Sequence, residues 1–187
     1  MDGVRSHVKV EASPRRVRSY DLVLRILGLA FTLVAAVVAG VNKETKIISI
    51  TMAESLAPLQ IPFTAKWHYL SAFVYFVVSN SIACLHAAAS LALLMVNGMS
   101  RNDTTALALH ILDLMMVALL FSANGAAIAV GVIGIHGNSH ANWNKVCNVV
   151  KNYCRHSTAS IAMSMLGSFA FLWLVVLATL QLHKKSS

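Results

Sequence analysis

The sequence predicts an all-α membrane protein: one compact bundle of four transmembrane helices with cytosolic N- and C-termini. Three observations lead there. Charged residues make up 12% of the 187-residue chain and apolar residues 57%, whereas soluble domains carry about 25% charged residues. The mean hydropathy is correspondingly high, +0.68. Four apolar runs, each long enough for the ~20 residues that cross a bilayer, take up most of the length and leave no room for a separate soluble catalytic domain. An even number of spans places both ends on one side. The basic residues of the first stretch and Lys184-Lys185 make that side cytosolic by the positive-inside rule.

Met1–Tyr20 is polar and basic, contains Pro14, and reads as a disordered tail. The run from Leu22 to Val41 is longer than the ~7–15 apolar residues of a signal peptide, so it is read as an uncleaved first span. At 100° per residue Arg25, Gly28, Thr32, Ala36 and Ala39 share one face. Small residues on one face suit close helix packing in lipid. In the first loop the β-branched piece Lys46–Met52 predicts a short strand, and Trp67 and Tyr69 mark the next interface. The second span covers Tyr69–Val96 and carries Asn80 and His86. The third covers Ala106–Ile135, with Asp113, Leu120, Asn124 and Gly131 in one stripe and Ala127 beside it. The fourth, Ser157–Leu182, has Ser157, Ser160, Ser164 and Ser168 along one side. A short tail, residues 184–187, ends the chain.

The net charge of +8 does not point to nucleic acid, because the basic residues are spread over tails and loops instead of forming one patch. Beside membrane-entering helices such residues set orientation and meet anionic lipid. One sequon, Asn102-Asp103-Thr104, faces the cytosol in this orientation and stays unmodified.

Two fixed charges lie inside apolar runs, Arg25 and Asp113. A bare carboxylate in hydrocarbon costs at least ~2.5–3.5 kcal/mol, so intramembrane charges pair or face water. Measured from the cytosolic end of its span, Arg25 lies about 5 Å deep and Asp113 about 10 Å deep. The long arginine stem spans the difference, and a planar guanidinium suits a bidentate bond to a carboxylate. The expectation is an intramembrane salt bridge fixing the first span against the third. The competing reading is a proton or ion relay through Asp113 with His110 one turn earlier. Asn80 and Asn124 are expected to hydrogen-bond between helices. His86, about a third of a turn from the Asn80 face, reads as a packed or interfacial histidine.

Cys147 and Cys154 share the last loop, which this topology places in an oxidising compartment, and a disulfide is the favoured chemistry. The rival is a metal site drawn from His136, His140, Cys147, Cys154 and His156, since His136 and His140 have helical ligand spacing. The main reading needs no metal and no cofactor. There is no nucleophile elbow, phosphate-binding glycine loop or zinc-protease motif, so the chain does not read as an enzyme.

Several stretches resemble one known family. They are Ser19-Tyr20-Asp21-Leu22 leading to Arg25, Ala65-Lys66-Trp67-His68-Tyr69-Leu70, and the Asp113 run ending in Phe121-Ser122-Ala123-Asn124-Gly125-Ala126-Ala127. Gly137-Asn138-Ser139-His140 before Trp143-Asn144-Lys145-Val146-Cys147 completes the set. Over residues 19 to 185 the chain is similar to the plant Casparian strip membrane domain protein-like (CASP-like) family, subgroup 1, and more distantly to MARVEL-domain four-span proteins. The resemblance implies four spans, plasma-membrane residence, and self-association as homo- or hetero-oligomers, dimers among them. It also implies that Arg25, Asp113, Cys147 and Cys154 are family features. Founding members form a scaffold that recruits lignin-polymerising machinery; they carry an aromatic-rich signature in the first outer loop, where this chain reads ESLAPLQIPF from Glu54 to Phe63.

The reading is therefore a self-associating plasma-membrane scaffold or microdomain organiser of plants, linked to local cell-wall modification. Its expected partners are related four-span proteins, membrane lipid and extracellular wall-modifying proteins. The alternative is a small oligomeric channel or transporter with Asp113 in a polar pathway. A dilysine retrieval reading of Lys184-Lys185 competes for the address.

Overall fold

The computed structural model describes residues 14–50, 59–96, 103–137 and 145–186. The chain runs through helix α1 (Pro14–Val41), strands β1 (Lys43–Ile50) and β2 (Leu59–Lys66), a 3-10 turn (Trp67–Tyr69), helix α2 (Ser71–Val96) and helix α3 (Asp103–His136). A second 3-10 turn (Val146–Asn148) leads into helix α4 (Lys151–Ser186). All four helices are long and apolar enough to cross a membrane, and the fold is the four-helix membrane bundle that the composition predicts.

Helices consecutive in the chain pack on one another, and α1 also packs extensively on α4. The bundle is thus a closed square in which α1 faces α3, and α2 faces α4, across the diagonals. One end holds the start of α1, the end of α2, the start of α3 and the end of α4; this is the termini end. The other carries the β1–β2 hairpin and the loop before α4; this is the hairpin end.

Small residues set the helix spacing. A Cβ added at Gly167 of α4 would stand 3.1 Å from Thr32 Cγ2 on α1, and one at Gly28 would stand 3.4 Å from the Phe171 ring. The seam expected on α1 is buried at Arg25, Gly28, Thr32 and Ala39, with Ala35 in the core where Ala36 was expected. On α4, Ser157, Ser160, Ser164 and Ser168 are all buried. Ser160 Oγ donates to Ser157 O and Ser168 Oγ to Ser164 O, each at 2.8 Å, so these hydroxyls return to their own helix. Large apolar side chains such as Leu33, Val37, Leu85, Ile111, Leu114, Met115 and Leu180 point outward. In a bilayer that face meets lipid tails as apolar as itself.

Several boundaries differ from expectation. α1 begins at Pro14, inside the stretch expected to be disordered; a proline in the first helical turn lacks only an N–H that has no helical partner there. Residues 1–13 lie outside the described residues. α4 begins at Lys151 instead of Ser157. The strand expected at Lys46–Met52 is β1, shifted to start at Lys43 and paired antiparallel with β2, with Lys43 opposite Lys66 and Ile47 opposite Pro62. A proline fits there because each strand of a two-stranded sheet keeps an open edge. Gly137, at φ 72°, closes α3 by donating its N–H to Ile133 O at 2.8 Å, the left-handed helix stop that glycine adopts without strain. Asn102 of the sequon, and His140 and Trp143 of the last loop, lie outside the described residues.

Candidate functional site

The polar residues of the bundle fall into three levels. Nearest the termini end, each helix contributes one side chain to a single layer: Arg25 from α1, His86 from α2, Asp113 from α3 and Phe171 from α4. Asp113 is 0% exposed and Arg25 2%. The guanidinium grips the carboxylate with both terminal nitrogens, Nη2 to Oδ2 at 2.9 Å and Nη1 to Oδ1 at 3.3 Å. His86 Nε2–H donates to Asp113 Oδ1 at 2.7 Å. Arg25 Nε lies 3.4 Å from Asp21, one turn back on α1. The imidazole of His86 leans on the Phe171 ring, centroids 6.2 Å apart.

This geometry follows from the square arrangement. α1 and α3 stand on a diagonal, so only long side chains meet across the centre. Arginine reaches farthest and offers the planar fork that a carboxylate accepts. Asp113 accepts three hydrogen bonds, which occupies most of a carboxylate's capacity. Desolvating two charges is expensive and their attraction offsets it only when the geometry is good, whereas removing one partner strands the other and costs about 3–5 kcal/mol. Chemically, the layer locks three helices together.

The middle level is neutral. Asn124 Nδ2 of α3 donates to Ser168 Oγ of α4 at 3.0 Å. Asn80 departs from the expected interhelical role: its Nδ2 donates to Phe76 O on its own helix at 2.9 Å, and its Oδ1 has no protein partner. An asparagine one turn after a free carbonyl lone pair satisfies its donor locally, which the interhelical expectation left out.

At the hairpin end, Asn42 Nδ2, just past α1, donates to Tyr153 O at 2.9 Å and to Ser157 Oγ at 3.0 Å. Glu44 of β1 accepts the Tyr153 N–H at 2.7 Å. α4 has no acidic residue in its own first turn, so β1 supplies the carboxylate that a helix N-terminus favours. Cys147 and Cys154 form a disulfide with Cα atoms 5.7 Å apart. His136 Nδ1–H donates to Val132 O of its own helix at 3.3 Å. Among the described residues no cluster of three or more His, Cys, Asp or Glu side chains has the arrangement of a metal site.

Sequence reasoning missed His86, Asn42, Glu44 and Tyr153. For His86 a signal existed: an intramembrane carboxylate draws every donor within reach, and a histidine on a neighbouring helix at similar depth is one. For Asn42 and Glu44 there was none, because their partners are more than a hundred positions away in the chain.

Four crossing helices held by a sealed charge layer at one end and a disulfide-closed loop at the other define a multi-pass membrane protein with a compact helical-bundle domain. The signature of the Casparian strip membrane protein domain matches residues 14–170, and the chain belongs to that family. It is 59% identical to CASP-like protein 1E1 of Vitis vinifera, over 100% of this chain and 93% of that protein. It is 51% identical to CASP-like protein 1E2 of Glycine max over the full length of both. With CASP-like protein 1E1 of Arabidopsis thaliana it shares 44% identity over 93% of this chain and 90% of the relative. No solved structure matches the chain.

Proposed function

We propose that this protein is a self-associating scaffold of the plant plasma membrane, with cytosolic termini, that organises a microdomain and presents its hairpin end to wall-modifying partners. The observation that carries the reading is the state of Asp113. A transport pathway that runs through Asp113 needs its carboxylate open to water, and this one is fully enclosed, with its oxygens bonded to Arg25 and His86. The charge serves assembly of the bundle, and the outward surfaces are apolar faces on which lipid or further copies pack. Family membership and the disulfide at the hairpin end, which suits an oxidising compartment, support the same reading.

Fluorescence recovery after photobleaching of a tagged copy in plant epidermal cells tests it. Slow recovery within plasma-membrane patches is the expected result. Uniform signal with fast recovery contradicts a scaffold, and a reticular internal signal means that the Lys184-Lys185 tail is read as a retrieval signal.

A further inference from the structure

The fold gathers basic residues that the sequence disperses. The segments at the hairpin end, residues 42–70 and 137–156, carry six Lys and Arg against two acids, Glu44 and Glu54. Lys43, Lys46, Lys145, Lys151 and Arg155 are exposed. Glu44 ties the strand-borne charges to those of the helix: one of its oxygens accepts the Tyr153 N–H at 2.7 Å, and the other lies 3.7 Å from Lys46 Nζ. β1 is thereby fastened to the first turn of α4, where Lys151 and Arg155 stand one turn apart on one helix face.

Two placements on this surface are unfavourable for the chain alone. Lys43 lies directly opposite Lys66 across the hairpin, and like charges in opposed strand positions repel. Lys151 opens α4 and Arg155 begins its second turn, with no acid in the first, so cations crowd a helix terminus whose dipole favours anions. The positive-inside rule gives no reason for these charges, because with cytosolic termini they lie on the far side of the membrane. Anionic lipid is concentrated in the cytoplasmic leaflet, so the bilayer surface beside them is not their counterpart. An external polyanion relieves both repulsions. Lysine, which supplies five of the six basic residues, is a compact point charge without arginine's fixed fork. It suits repeated carboxylates on a flexible chain better than one anchored phosphate. Resting on the reading that this end faces the cell wall, we propose that it binds an acidic polysaccharide, a polymer of uronate carboxylates, through Lys43 and Lys46 of β1 and Lys151 and Arg155 of α4.

Biolayer interferometry of the purified full chain in phosphatidylcholine nanodiscs, titrated with polygalacturonate or its fully methyl-esterified form, tests it. The wild type is expected to bind the acidic polymer and not the ester, and to release it in about 1 M salt, where charges more than about 3 Å apart are screened. Lys43→Gln, Lys46→Gln, Lys151→Gln and Arg155→Gln together are expected to weaken binding about tenfold or more; these side chains are exposed, so the fold survives. Arg15→Gln, Arg16→Gln, Lys184→Gln and Lys185→Gln remove as many charges at the termini end and are expected to leave binding unchanged. Equal losses in the two variants, or no binding by the wild type, overturn the proposal. Retention of anionic phospholipid by the wild type but not by the first variant, with no polymer bound, assigns the charges to lipid and overturns it too. Orientation is read separately: Ala53→Asn completes a glycan acceptor sequence with Ser55, and is expected to gain a glycan in cells. A glycan without polymer binding overturns this proposal alone; polymer binding without a glycan overturns the orientation on which both readings rest.

Discussion

The two ends of the bundle are fastened by opposite means. At the termini end three helices converge on one carboxylate with no covalent link, and the layer is closed by Phe171, 0% exposed. At the hairpin end a disulfide and the Glu44 cap lent by β1 hold the start of α4, the Asn42 amide adds a neutral contact, and space remains beside Gly131. The difference teaches what each device permits. Buried opposite charges tolerate no gap, because a poorly solvated ion is too costly to leave unpaired. A covalent clip constrains the chain without requiring that every neighbouring volume be filled, so the clipped end is where a cavity persists.

Asp113→Ala probes the charged end and carries the largest expected effect. It strands Arg25 in the core with only the distant Asp21 contact, and is expected to destabilise by about 3–5 kcal/mol. Surface delivery of a tagged variant should fall sharply. Cys147→Ser combined with Cys154→Ser comes next. The bridged residues are 7 apart in sequence, and closing a loop of that size is worth about 2–3 kcal/mol in the chain-entropy account. Thermal melting in detergent should fall accordingly, and reductant should bring the wild type to the variant's melting point while leaving the variant unmoved. Glu44→Ala is the smallest of the three. It removes the cap that β1 lends to α4 at Tyr153, a change of about 1 kcal/mol, best read as faster amide exchange confined to the first turn of α4. Were Asp113→Ala milder than the disulfide variant, the contrast between the ends would be reversed.

The legibility of the molecule in its sequence divides along the same line. Four spans follow from hydropathy because the bilayer imposes a length and excludes charge. The meeting of Arg25 with Asp113 was readable for the same reason: two fixed charges in apolar runs at similar depth have few other options. His86 was not assigned to Asp113, because rotational arithmetic along one helix does not say which neighbour lies beyond its edge. Asn80 was misread because an amide on a helix has its own backbone as a competing acceptor. At the hairpin end less was legible. Pro62 hides β2 from a pattern search, since proline is rare in strands with two neighbours, and Asn42 and Glu44 act through partners on α4 that no local pattern announces. The stretch around Pro14 was read as disordered tail, where a proline in the first helical turn marks the start of α1.

The central claim is that Arg25 and Asp113 form a mutually compensating pair whose value lies in each satisfying the other. A double-mutant cycle measures this directly: Arg25→Met, Asp113→Leu and both together, by thermal melting of the purified protein in detergent. Each single variant is expected to lose several kcal/mol, about 3–5, and the double variant to recover most of that loss, because two apolar side chains replace two buried charges and leave none unpaired. Additive losses, with the double variant as unstable as the sum of the singles, would contradict the account.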